Sequence, residues 1–159
     1  MSAVDIQSND ELRDLYRELI LDHSRSPRHF GKLSEATHTA EGINPLCGDK
    51  LRLYLRLDQD GMIVDASFEG SGCAISVASA SLLTDIVIGT TVDTASDYFQ
   101  AVTQHLTAAT PAELEAIDLE KVRALDGVRE FPARVKCATL AWHALNSAIQ
   151  QQAKPVTTE

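Results

Sequence analysis

Residues 50–57 are Lys50-Leu51-Arg52-Leu53-Tyr54-Leu55-Arg56-Leu57, with leucine at every second position. Successive side chains of a β-strand point to opposite faces, so this alternation predicts a strand with one buried face. After the turn-forming residues 58–61, apolar residues again occupy every second position: Met62, Val64, Ala66 and Phe68. The two stretches therefore predict a hairpin that pairs Leu57 with Met62 and Leu51 with Phe68, with every leucine on the buried face.

Apolar residues at helical spacing occur before and after this hairpin in the sequence. A capping-box pattern at Ser8 begins a first helix, which we expect to end near His23 because Ser26-Pro27 disfavours the α conformation. Threonines within residues 33–43 indicate an edge strand. Further helices are predicted over residues 73–89, residues 92–106, a short stretch from Thr110 and residues 133–149. We therefore expect an α+β fold, a small antiparallel sheet of three strands covered by about five helices.

Length and charge restrict the possible functions. The 159 residues contain no internal repeat or linker, which predicts one domain over 1–159, with an ordered core at about 8–150 and a flexible tail at 151–159. A net charge of −9 opposes binding to nucleic acid or to an anionic membrane surface. No apolar run is long enough for a membrane span and no export signal is present, so we expect a cytoplasmic protein.

Three cysteines carry the chemistry that the sequence offers. Extending the hairpin register places Cys47 opposite Gly72, so we expect Cys47 and Cys73 to meet. Cys73 lies at the predicted start of one helix and Cys137 near the start of another, where free amides and the helix dipole favour a thiolate. Thiolates are both nucleophiles and metal ligands, so the pattern indicates a chemical site.

A metal site competes with simpler interpretations of the same residues. Together with Asp49, the three cysteines supply three sulfurs and one oxygen, a set that tetrahedral zinc accepts. The spacing lacks a C-x-x-C pair and is not that of a zinc finger. Cys137 is also explained as a small buried hydrophobe, and Asp49 as a residue that bonds its own turn.

Three separated motifs resemble those of a known family. They are Asn44-Pro45-Leu46-Cys47-Gly48-Asp49, Gly70-Ser71-Gly72-Cys73-Ala74-Ile75-Ser76 and Phe131-Pro132-Ala133-Arg134-Val135-Lys136-Cys137. In this order they closely resemble the SufU branch of the IscU-like (NifU N-terminal) iron-sulfur cluster assembly family. The resemblance runs from about Leu12 to Ile149 and implies an α+β fold.

The resemblance also implies a site and an activity. Its metal ligands would be Cys47, Asp49, Cys73 and Cys137, holding zinc or, alternatively, an iron-sulfur cluster. SufU-type members are zinc proteins that accept sulfur from a cysteine desulfurase, a pyridoxal-phosphate enzyme, for a downstream iron-sulfur assembly scaffold. The scaffold branch has a histidine where this chain has Lys136, which favours sulfur transfer over cluster building.

Within that hypothesis we assign individual roles. Cys47 is the expected sulfur acceptor because it lies in a glycine-flanked loop, whereas the other two cysteines are anchored on helices. Arg134 is either an exposed first-turn arginine or a cation that guides the persulfide. His23 and His29 flank the first loop and are candidates for a partner surface. Two alternatives stay open, an iron-sulfur scaffold and an inert structural zinc module.

Overall fold

The computed structural model describes residues 16–107, 122–129, 131–151 and 155–158. We label helical residues 16–25 as α1. The remaining elements, in chain order, are β1 (His38–Asn44), β2 (Asp49–Leu57), β3 (Ile63–Ser71), α2 (Ala74–Val87), α3 (Val92–Thr107), a 3-10 helix (Val122–Val128), α4 (Pro132–Ile149) and β4 (Val156–Thr157).

The strands form one sheet in the order β3-β2-β1-β4. The first three strands are antiparallel, as predicted, and β4 adds a short parallel pairing beside β1. α4 packs against β1 and β2, and α2 packs against β3 and α4. The predicted α+β class is confirmed, with four strands instead of three.

The hairpin forms in a register displaced by two residues from the prediction. Phe68 pairs with Leu53 instead of Leu51, and Ala66 pairs with Leu55. A displacement of two residues returns every side chain to its original face, so Leu51, Leu53 and Leu55 still point into the core and are buried. Alternation alone therefore predicts the buried face but not the partner.

An irregularity near the turn changes the buried face of β3. The register shifts between Arg56 and Leu57, so that Leu57 pairs with Ile63. Ile63 is fully buried, whereas Val64 is 40% exposed. The prediction that Met62 and Val64 face the core is wrong, because the irregularity exchanges the two faces at this end of the strand.

The helices cover the apolar face of the sheet. Trp142 of α4 is fully buried, and its indole N–H donates to Ser79 Oγ of α2 at 3.1 Å. Ser79 Oγ in turn donates to the carbonyl of Ala138. This chain of bonds satisfies the polar atoms between the two helices and fixes how α4 lies against α2.

Helix boundaries differ from the predicted ones in two places. α1 continues to residue 25, two residues beyond His23, and stops directly before Ser26-Pro27. A 3-10 helix at Val122–Val128 occupies part of the predicted connecting loop at residues 126–132. The short helix predicted from Thr110 lies outside the described residues.

Described residues within the segment predicted as a flexible tail lie beside β1. Thr158 N–H donates to the carbonyl of Ile43 at 3.2 Å, and Thr158 Oγ1 donates to the carbonyl of Lys136 at 3.1 Å. These bonds hold β4 beside β1 and against the first turns of α4. Among the described residues, no helix has the length and apolar character needed to cross a membrane.

Candidate metal centre

The three cysteines and Asp49, which the sequence predicts to be metal ligands, lie at one end of the sheet. Here β1 ends, β2 begins and β3 ends, and α2 begins directly after β3. Antiparallel strands bring these chain segments to the same edge although they are distant in sequence. Cys137 arrives from α4, which packs across β1 and β2. All three cysteines are free thiols.

Cys47 lies in the tight connection between β1 and β2. Its backbone N–H donates to the carbonyl of Asn44 at 3.2 Å, which closes a turn. Gly48 has φ +72°, a conformation that glycine adopts without steric cost. Cys47 is exposed, and the preceding Leu46 is 68% exposed. The connection therefore presents Cys47 at the surface.

Asp49, at the start of β2, is 1% exposed. Its Oδ1 accepts the backbone N–H of Cys73 at 2.8 Å, and its Oδ2 lies 3.8 Å from Cys73 Sγ. A Cβ atom on Gly72 would lie 2.5 Å from Asp49 Oδ1, so only glycine leaves room for this carboxylate. Asp49 thus bonds the start of α2 rather than its own turn, contrary to the simpler interpretation of this residue.

Cys73 is the N-cap of α2, as its predicted position implied. Its Sγ accepts the backbone N–H of Ser76 at 3.4 Å, and the side chain is partly exposed. The chain enters this cap through Gly70, whose φ is +145° and whose Cβ, if present, would lie 2.1 Å from the carbonyl oxygen of Lys50. Gly70 therefore allows β3 to approach β2 closely beside the site.

Cys137 is the sixth residue of α4 and is 3% exposed. Burial raises the pKa of its thiol, and hydrogen bonds to Asp49, Cys47 and Cys73 raise it further. The expectation that the helix start favours a Cys137 thiolate is wrong in the metal-free protein, because Cys137 lies beyond the first turn and away from water. A cation bound beside this buried sulfur would stabilise its ionised form.

The sulfur that lies beside Cys47 is that of Cys137. Their Sγ atoms are 3.3 Å apart. The prediction that Cys47 meets Cys73 extends the strand pairing as far as Cys47, but β2 begins at Asp49 and the pairing ends before Cys47. Cys73 contacts Asp49 instead.

The donor set and its spacing suit a tetrahedral ion. The ligand atoms of Cys47, Asp49 and Cys137 all lie within 4.8 Å of one another, and Cys73 Sγ lies 3.8 Å from Asp49 Oδ2. Zinc–sulfur bonds of about 2.3 Å at tetrahedral angles place two sulfurs about 3.8 Å apart. The Cys47–Cys137 separation of 3.3 Å and the Cys73–Asp49 separation of 3.8 Å are near this value, whereas Cys73 lies outside the group whose ligand atoms are all within 4.8 Å of one another. Soft thiolates with one carboxylate are ligands that zinc accepts.

Other predicted residues have different surroundings. The guanidinium of Arg134 lies 4.6 Å from the ring centroid of Phe131, and both side chains are exposed. Lys136 is partly exposed. His23 is buried and bonds Ser81 Oγ at 2.7 Å, and burial lowers its pKa, so the prediction that it lines an exposed partner surface is wrong. His29 is exposed.

One residue at the site was not predicted from the sequence. Asn44, the last residue of β1, is fully buried, and its Nδ2 donates to Cys137 Sγ at 3.5 Å. The available signal was its position at the start of the first cysteine motif. Periodicity could not find it, because the contact joins residues 93 positions apart.

The α+β fold and the cysteine–aspartate cluster define a class of small protein in which thiols and a carboxylate that could hold a metal ion meet at one end of a mixed sheet. The chain belongs to the NifU-like N terminal domain family, whose model matches residues 15–138. This confirms the resemblance that the three cysteine motifs carry.

Individual relatives agree with this assignment. The chain is 40% identical to the zinc-dependent sulfurtransferase SufU of Bacillus subtilis, over 91% of this chain and 95% of that protein. It is 38% identical to the iron-sulfur cluster assembly scaffold protein IscU of Thermotoga maritima, over 89% of this chain and 96% of the relative. Its fold matches the crystal structure of a nitrogen-fixing NifU-like protein (N-terminal) from Brucella abortus with a TM-score of 0.77, 28% identity and coverage of 88% and 95%.

Proposed function

We propose that this protein is a zinc-dependent sulfur acceptor that takes persulfide sulfur from a cysteine desulfurase for iron-sulfur cluster assembly. The observation that carries the proposal is the pairing of an exposed Cys47 sulfur with a buried Cys137 sulfur 3.3 Å away. The name of the Bacillus subtilis relative supports it. Such a pairing combines an anchored ligand with one that a partner can reach.

The four proposed ligands are Cys47, Asp49, Cys73 and Cys137. A bound zinc ion supplies positive charge that keeps the sulfurs deprotonated. Cys73 N–H holds Asp49 Oδ1, so Asp49 directs Oδ2 towards the cluster. These contacts place the ligands before the ion arrives, which lowers the ordering cost of binding it.

The chemistry assigned to Cys47 is thiol exchange with a persulfide. The Cys47 thiolate attacks the outer sulfur of the desulfurase persulfide, and the sulfur–sulfur bond of that persulfide breaks. The electron pair leaves on the desulfurase cysteine as a thiolate, while Cys47 becomes the new persulfide. Because one sulfane sulfur moves and no net oxidation occurs, no further reactant is needed.

The exposure of the Cys47 connection supports a docked partner. Sulfane sulfur is reactive in water, so transfer requires contact between the two proteins. Arg134 and Phe131 are exposed at the start of the helix that carries Cys137. We assign Arg134 as a residue that guides the anionic persulfide. The partner is a pyridoxal-phosphate-dependent cysteine desulfurase, and a downstream iron-sulfur scaffold is the recipient.

The test measures alanine release from cysteine by a pyridoxal-phosphate cysteine desulfurase, with and without this protein. The zinc-loaded protein should raise the rate several-fold, because it removes the persulfide after each turnover. Cys47→Ser should abolish the increase while the melting temperature and circular dichroism stay near the wild-type values. Mass spectrometry after one turnover should find about 32 Da added to the peptide that contains Cys47.

Arg134→Ala should weaken the stimulation, whereas the control Arg56→Ala, seven residues along β2 from Asp49, should not. Seven residues of strand correspond to about 23 Å, so the control alters charge far from the site. Assembly of an iron-sulfur cluster on the protein without any effect on the desulfurase would support the scaffold alternative instead. Equal protection of all three thiols by zinc, with no sulfur transfer, would support the structural module.

A further inference from the structure

The side chain of Asn44 lies beneath the cysteine cluster. It is fully buried, and its Nδ2 donates to Cys137 Sγ at 3.5 Å. The backbone carbonyl of Asn44 accepts the backbone N–H of Cys47, and Asn44 pairs with Asp49 across the β1–β2 ladder. One residue therefore touches the turn, the carboxylate strand and the buried sulfur of the same site.

The other end of the Asn44 amide is unpaired. Oδ1 is buried and, among the described residues, no hydrogen-bond donor reaches it. A buried amide with one unsatisfied end destabilises the fold relative to an apolar side chain of the same size. Packing alone therefore does not explain an asparagine here. The N–H directed at sulfur is the interaction that an apolar residue could not supply.

The three sulfurs differ in the N–H groups that they receive. Cys73 Sγ accepts the backbone N–H of Ser76, and Cys137 Sγ accepts the side-chain N–H of Asn44. Within the described part of the chain, Cys47 Sγ has a contact to Cys137 Sγ and no N–H donor. A hydrogen bond stabilises the thiolate and reduces its nucleophilicity, so the sulfur without a donor is the most reactive of the three.

We propose that Asn44 is a positioning residue whose amide N–H holds the Cys137 sulfur in place and thereby directs incoming sulfur to Cys47. This inference rests on the proposed function, because it concerns which cysteine accepts the sulfur. Asn44 acts through Cys137 and does not itself touch the persulfide. Its amide holds the buried Cys137 sulfur 3.3 Å from the Cys47 sulfur and makes the buried sulfur the less reactive of the two.

The test compares wild-type protein with Asn44→Leu, which removes the amide at similar volume. Each zinc-loaded protein is mixed with a persulfide-charged cysteine desulfurase, and the added sulfur is located by peptide mass spectrometry. In the wild type the sulfur should be almost entirely on Cys47. In Asn44→Leu the share on Cys137 should rise at least fivefold, with about one zinc per chain retained.

Asn146→Leu is the matched control. It makes the same replacement nine residues further along α4, about 14 Å from Cys137, and should leave the sulfur distribution unchanged. A folded, zinc-containing Asn44→Leu protein with the wild-type distribution would overturn the inference and leave the proposed function intact.

A second measurement needs no substitution and no desulfurase. In ¹⁵N-labelled wild-type protein loaded with ¹¹³Cd, an Asn44 side-chain amide proton should show scalar coupling to the metal through the Cys137 sulfur. Absence of that coupling would overturn the inference even if Asn44→Leu fails to fold. Wild-type protein that shows the coupling but accepts no sulfur would instead contradict the proposed function.

Discussion

Cys47 and Cys137 have sulfurs 3.3 Å apart and opposite surroundings. Cys47 lies in an exposed turn beside Leu46, whereas Cys137 is 3% exposed within a helix that packs across the sheet. Release of the first sulfur disturbs only a short connection, while release of the second would disrupt the packing of α4. One site can therefore contain both a fixed ligand and a replaceable one.

The largest expected effect comes from exchanging these two cysteines for alanine, one at a time. Water can fill the coordination position left by Cys47→Ala, because that side of the site is open. The buried side offers no such access, so Cys137→Ala should lose its zinc and about 3 kcal/mol of unfolding free energy, the size of the linkage at saturating metal. Elemental analysis and urea unfolding of both variants measure this.

Equal losses of zinc and stability in the two variants would remove the distinction between a fixed and a replaceable ligand. Full zinc and unchanged unfolding in Cys137→Ala would show that Cys137 is not a ligand.

A smaller effect is expected from displacing the Asp49 carboxylate. Gly72→Ala would place a Cβ atom 2.5 Å from Asp49 Oδ1 and displace the carboxylate from Cys73 N–H. We expect a destabilisation of about 1–3 kcal/mol and weaker zinc binding in a chelator competition. Gly127→Ala is the control, because its Cβ would meet nothing within 4 Å. If both variants bound zinc equally well, Asp49 would have no part in the site.

The smallest effect concerns pH in the metal-free protein. Burial raises the pKa of the Cys137 thiol above its ordinary value of 9.0, so above that pH the unfolded chain loses this proton before the folded protein does. Stability should therefore fall as pH rises beyond about 9, with a slope of at most about 1.4 kcal/mol per pH unit from this group.

Urea unfolding of the metal-free protein between pH 8 and pH 10.5 measures that slope. The Cys137→Ala protein should lack this contribution, while Cys47→Ala should retain it. An identical slope in all three proteins would show that Cys137 does not titrate differently in the folded and unfolded states.

Local patterns were sufficient for much of the fold. The alternation at residues 50–57 correctly predicted a half-buried strand, and Ser26-Pro27 correctly predicted the end of α1 to within two residues. These predictions succeed because strand alternation and proline sterics act over a few neighbouring residues. The metal ligands were proposed from motif resemblance together with local chemistry.

Local patterns did not determine which residues pair across the sheet. Apolar residues at every second position permit any register displaced by two, so Leu51 and Leu53 were equally suitable partners for Phe68. The contact between Cys47 and Cys137 could not be predicted from local patterns either, because it joins the β1–β2 connection to a helix 90 residues away. The parallel pairing of β4 could not be predicted either, because a strand of two residues has no periodic pattern.

By itself, the sequence determined that this protein has an antiparallel hairpin with one apolar face, helices that cover it and three cysteine motifs typical of one family. Only the tertiary structure decided that Cys137 is buried against an exposed Cys47 and that Asn44 donates to its sulfur. The physical reason is that reactivity depends on burial and on hydrogen bonds between segments about 90 residues apart, which form only when α4 packs across the sheet.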